Sequence, residues 1–317
     1  MIDFGYLYKG LCGLANAHRA NTMAGHLGAA VIAGYFLGED QSDIDDAVCR
    51  GVEKELDRII RGEESFWFDP KKAGVTIGDL FQPFPEERPQ EASIPTLAES
   101  LSRNVDQMRE SGHNVIFASI ALRALHDHPV YATPSIIGGI RKLIEGFNNA
   151  NPGRGYYGKE RGWILGDKVS LPADDGIPLY KDEQMMARVV VDELIATASV
   201  RRQGFGGLWH VVNHAAALIE LSRFGYKTLA SKGLAAHRQH LRLWRSLPNV
   251  ASELGVVPWA EHDPRRPEFW TTGTLKREEA RLTHRIKTLY GFFTVLQLVK
   301  DNAVRRKAEE SLIYLMA

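Results

Sequence analysis

Four apolar stretches, each opening on a histidine, set the frame for this chain. They are HRANTMAGHLGAAVIAGYFL from His18, HNVIFASIALRAL from His113, HVVNHAAALIEL from His210 and HRIKTLYGFFTVLQLV from His284. Their apolar residues run nearly all the way round a 3.6-residue period, so each reads as a helix buried on every side. Short alternating runs of Val, Ile and Thr are nearly absent, which argues against an extensive sheet. Helical periodicity predicts helices at roughly 12–37, 42–62, 94–110, 113–128, 134–148, 182–200, 208–224, 227–246, 275–300 and 302–316. Ser42 is the expected N-cap ahead of DIDDAV, Thr133-Pro134 reads as N-cap and first helical residue, and Gly38 and Gly225 stand where helices should stop.

Three of the histidine-led helices precede a more charged, amphipathic one, and each of those precedes a long irregular segment: 63–93, 149–181 and 247–273. In an antiparallel hairpin the end of the second helix lies beside the start of the first. The long segments should therefore gather at the histidine-bearing end. Loops of such length in a folded domain usually carry function. These hold Trp67, Tyr156, Tyr157, Trp163, Trp259 and Trp270, too many aromatic residues for a disordered linker.

The expected architecture is all-α, a single helical domain over residues 1–317. It resembles the (α/α) toroid superfold, whole or partial: a ring of helical hairpins with the long loops over one end. That superfold serves many reactions, so architecture alone names none.

With Lys+Arg and Asp+Glu at 39 each, the chain has no net field to attract nucleic acid or an anionic membrane. Two cysteines, Cys12 and Cys49, cannot build a disulfide scaffold and suit a reducing compartment. The N-terminus lacks the basic and apolar regions of a signal peptide, and no apolar run reaches membrane-spanning length. A cytoplasmic protein acting on a small molecule is the expectation.

The candidate catalytic residues are His18, His26, His113, His210, His214 and His284. A helix N-terminus and burial both disfavour the imidazolium, and neutral rings suit ligation, general-base work or plain hydrogen bonding. His210 and His214 stand four apart, as in the zinc-hydrolase motif, but Val211 occupies the place of its general-base glutamate. The pair could still bind a divalent metal with a further histidine or carboxylate. Trp67, Tyr156, Tyr157, Trp163, Trp209 and Trp259 are the candidate substrate contacts. His126 and His128, in HDHP, fall at the short-turn end and read as a helix terminus. The glycine runs GRGYYG and GFGG lack the flanking strand or lysine of a phosphate loop, and neither a GxSxG elbow nor a cysteine signature is present.

AHRANTMAGHLGAAVIAGYFLG, RGWILGD, GGLWHVVNHAAALIEL and THRIKTLYGFFTVLQLV together give the chain a resemblance to the questin oxidase-like family. That family carries histidine-led helices and a Trp-Leu-Gly segment, here Trp-Ile-Leu-Gly. The resemblance implies oxidation of an aromatic, polyketide-like substrate, Baeyer–Villiger in type. Two other readings fit the same residues. One is a carbohydrate-active toroid, a hydrolase or lyase using loop acids such as Asp167, Asp174, Asp175, Glu261 and Asp263. The other is a non-catalytic helical ligand-binding protein.

Overall fold

The computed structural model describes residues 1–271 and 281–317. Ten helices of ten residues or more lie among them: α1 Gly5–Asn16, α2 Gly25–Asp40, α3 Asp46–Ile60, α4 His113–Asp127, α5 Pro134–Glu145, α6 Glu183–Thr197, α7 Gly207–Arg223, α8 Lys227–Ser246, α9 Arg281–Leu296 and α10 Asn302–Ser311. The only sheet among the described residues is a two-stranded antiparallel ribbon, β1 Arg154–Tyr156 with β2 Trp163–Leu165. The all-α class is thus observed. No helix is long and apolar enough to cross a membrane among these residues.

Contacts divide the chain into two units: residues 1–101, 117–147 and 262–290 form the first, and 102–116, 148–261 and 291–317 the second. In the first unit, α2 is buried at every position from Gly25 to Leu37. It lies close on α1 because both are small where they cross: a Cβ on Gly28 would stand 2.1 Å from the Leu14 nitrogen. α5 reaches α1 in the same way, Gly139 lying against the Ala15 carbonyl. α5 therefore packs chiefly on α1 and on the helical turn Pro95–Leu101, instead of forming a simple hairpin with α4. Arg123 of α4 donates to both carboxylate oxygens of Asp40 on α2, at 2.6 and 2.8 Å, and to the Tyr290 hydroxyl on α9. α3 is amphipathic, burying Val48, Val52, Leu56 and Ile59 at helical spacing. Fully burying such side chains is worth about 1.5–3 kcal/mol each, which sets the face α3 presents.

Several helix ends differ from expectation. The run 12–37 is two helices, because the Asn21 side chain accepts from Ala24 N at 2.9 Å and turns the backbone out of the helix between them. His18 consequently sits in a turn, and His26 occupies the first turn of α2. The N-cap of α3 is Asp45, three residues beyond Ser42. Gly38 lies inside α2 against Ile2 and does not stop it. The helix expected at 94–110 ends at Leu101, and the buried Asn104 instead bonds Asn114 and Asn148. The expected start of the last long helix at 275 lies outside the described residues.

In the second unit α7 and α8 form the expected hairpin, with Gly225 at φ +93° in the turn. α7 is buried from His210 to Leu221; α6 packs on its flank, and α10 packs on α6. The segment after Asn148 does return to the starts of α4 and α7. Glu110 N and Ser111 N donate to the carbonyls of Asn151 and Pro152, and Phe205 N donates to that of Arg154.

Candidate functional site

The second unit holds five buried histidines. α4 begins at His113, whose Nδ1 bonds the carbonyl of Glu110; on α7, Nδ1 of His210 bonds the carbonyl of Gly206. A carbonyl only accepts, so both Nδ1 atoms carry a proton. The two Nε2 atoms face each other at 2.9 Å. Two imidazole nitrogens that close share one proton or one cation between them. A metal-bound histidine usually has its other ring nitrogen held by a carbonyl or carboxylate in this way.

Two glycines make the arrangement possible. Gly206 has φ +72°, and a Cβ there would lie 2.3 Å from the His210 ring; Gly112, at φ +87°, would meet the His214 ring at 2.7 Å. Only glycine takes both the left-handed conformation and the close approach.

His214 does not join His210 in a chelate. Its Nδ1 lies 3.3 Å from Nδ1 of His240 on α8, whose Nε2 donates to the Phe205 carbonyl at 2.9 Å. Nδ1 of His240 is then an acceptor, so His214 donates from Nδ1 and its Nε2 is a buried lone pair with no partner. His237 donates from Nε2 to the Val211 carbonyl at 3.0 Å, leaving its Nδ1 in the same state. Burial first, then the neighbouring imidazoles, hold His214 well below its ordinary pKa, His237 at about 3 and, through burial, His240 at about 4. All three are neutral at physiological pH.

The first unit holds a different pair. His26, on α2, donates from Nδ1 toward the Met23 carbonyl at 3.1 Å and stacks on Trp67 with ring centroids 3.6 Å apart. His284, on α9, meets His26 edge-on at 5.0 Å, and their ring nitrogens come within 4.8 Å. Trp67 is gripped at both ends: Asn21 bonds its carbonyl, and its Nε1 donates to Glu64 Oε1 at 2.6 Å. Glu64 is fully buried and also accepts from Thr283 N and Oγ1, at 3.1 and 2.6 Å. Burial raises its pKa in spite of those bonds. One helical turn after His284, Lys287 is 2% exposed, its Nζ 6.0 Å from the Trp67 ring centre and 5.8 Å from that of Phe117. Burial lowers its pKa to about 7, Glu64 pulling weakly the other way.

The structure thus joins His113 with His210, His26 with His284, and His214 with two histidines the sequence reading did not single out. His18 joins neither set: its Nδ1 bonds the Ala15 carbonyl at 2.8 Å, and burial lowers its pKa. Of the aromatic candidates, Trp67 touches histidines. Tyr156 bonds Glu253, Tyr157 bonds Ser246, Trp209 is half-buried in the first turn of α7, and Trp163 and Trp259 are 46% and 62% exposed. Of the loop acids, Asp175 is tied to Arg242 and Arg238 and Asp263 to Arg265, while Asp174 accepts from Gly176 N. His237 and His240 were legible as AAHRQHL, two histidines three apart on the apolar side of an otherwise charged helix. Comparisons with protein-family models, with curated proteins and with solved structures find no match for the chain.

Proposed function

We propose that this chain is an enzyme acting on a small organic molecule, and that His113 and His210 hold a divalent transition-metal cation at its reaction centre. The observation that carries this reading is the 2.9 Å approach of the two Nε2 atoms, a gap that one cation or one proton bridges, with each Nδ1 held by a backbone carbonyl as in a metal-bound histidine. Imidazole ligands suit zinc, iron, copper and nickel alike. Oxidation of the substrate is the reaction class in keeping with the questin oxidase-like resemblance. The carbohydrate reading is weaker, because two of the acids it draws on, Asp175 and Asp263, are paired with arginines.

Metal analysis of the purified full chain tests the proposal, followed by anaerobic titration with Fe2+, Mn2+, Co2+ and Zn2+. One equivalent bound by the wild type and lost in both His113→Ala and His210→Ala is expected. The iron-loaded chain should consume oxygen with a hydroxylated aromatic ketone among the substrates offered. Failure to bind any of the four ions overturns the metal centre, and metal binding without turnover overturns the oxidative reading.

A further inference from the structure

The first unit contains a reactive group that the metal reading does not use. Lys287 lies on the same face of α9 as His284, one turn on, with its amine toward the rings of Trp67 and Phe117. An ammonium here would be poorly compensated. The two rings stand at the outer limit of useful cation–π distance, about 6 Å. The carboxylate that acts on it, Glu64, already accepts from Thr283 N, Thr283 Oγ1 and Trp67 Nε1. A buried charge without a close hydrogen-bonded partner is unfavourable, and the amine gives up its proton instead.

We propose that Lys287 is an amine nucleophile that captures a small aldehyde or ketone as an imine. The placement supplies what that addition needs. Nζ stands beside the Trp67 and Phe117 rings, His284 is one turn back on the same helix, and the carboxyl of Glu64, whose pKa burial raises, is the acid of this cluster. Nζ attacks the carbonyl carbon, the C–N bond forms, and the carbonyl oxygen takes a proton to give the carbinolamine. The C–O bond then breaks, the oxygen leaves as water with the two protons the amine supplied, and C=N remains. Nothing is oxidised or reduced, and hydrolysis reverses the step. A lysine held near pKa 7 is mostly neutral at pH 7.4, where one at 10.5 is about 0.1% neutral. The inference rests on the first unit alone and not on the cation.

The test is reductive trapping on the intact, chelator-treated full chain. Acetaldehyde and cyanoborohydride are added at pH 7.4, and peptide mass mapping gives the ethylation rate at every lysine. Lys287 is expected to react at least tenfold faster than the exposed lysines in the folded chain, and at their common rate in urea. A rate for Lys287 equal to or below that of the exposed lysines in the folded chain overturns the proposal. Glu64→Gln provides a second reading: it should keep trapping at Lys287 but slow it severalfold, and an unchanged rate would remove Glu64 from the scheme. Because chelator is present throughout, loss of the metal centre and loss of this site are separately readable.

Discussion

The two units use one local device in opposite settings. In each, a histidine in the first turn of a buried helix gives its Nδ1 proton to a backbone carbonyl three or four residues earlier: Met23 for His26, Glu110 for His113, Gly206 for His210. In the first unit the ring then faces the indole of Trp67, the phenyl of Phe117 and one imidazole, that of His284. In the second it faces an imidazole at hydrogen-bond distance, with three more packed nearby. The device fixes the tautomer; the neighbours decide what the exposed nitrogen can do.

The sharpest way to break the comparison is acid. His237 and His240 have folded pKa values of about 3 and 4, below the ordinary 6.5. The unfolded chain therefore takes up protons first, so stability is complete above about pH 6.5 and is lost as the pH falls toward the folded values. At pH 5 each costs about 2 kcal/mol, about 4 kcal/mol for the pair, with His214 adding in the same direction. Urea melts between pH 7.5 and 5 should show this loss; a flat profile would mean the cluster is hydrated or already charged. Lys287 works in another window. Its folded value of about 7 lies below 10.5, so the first unit gives up stability as pH falls from about 10.5 to 7 and nothing further below.

Gly206→Ala attacks the second unit alone. Left-handed backbone and a Cβ 2.3 Å from the His210 ring should cost about 3 kcal/mol and displace His210, read by urea denaturation and by weakened metal binding. Lys287→Met should act in the opposite sense on the first unit. Replacing a poorly compensated buried amine with an apolar isostere is expected to stabilise by about 2 kcal/mol at pH 7, seen as a higher melting temperature. The smallest effect is expected for His18→Gln, within about 1 kcal/mol by the same measurement, since this half-buried ring belongs to neither set. A large loss there would show that His18 belongs with the His26 pair after all.

Much of this was legible in the chain itself. The apolar circumference of HVVNHAAALIEL and the charged face of its successor set the α7–α8 hairpin, and the order of helices in a hairpin placed 149–181 against the helix starts. The break at Asn21 was hidden because one side-chain cap interrupts a run whose apolar residues continue unbroken on both sides. The HxxxH spacing drew attention to His210 and His214 as a pair, but their true partners come from α4 and α8. Spacing along one helix cannot report what a second helix brings to it. Lys287 was visible only as a polar position on a stripe; its significance comes from a tryptophan 220 residues earlier in the sequence.

The backbone bonds from 151–154 to Glu110, Ser111 and Phe205 have a consequence for how this protein can vary. That short run of main chain acts as a gauge block between the starts of α4 and α7, and the imidazole separation is inherited from it. Side chains on the β1–β2 ribbon, Trp163 and Leu165 among them, can change without altering the gap. One residue inserted between Asn151 and Arg154 would re-space it by more than any substitution at the histidines' other neighbours.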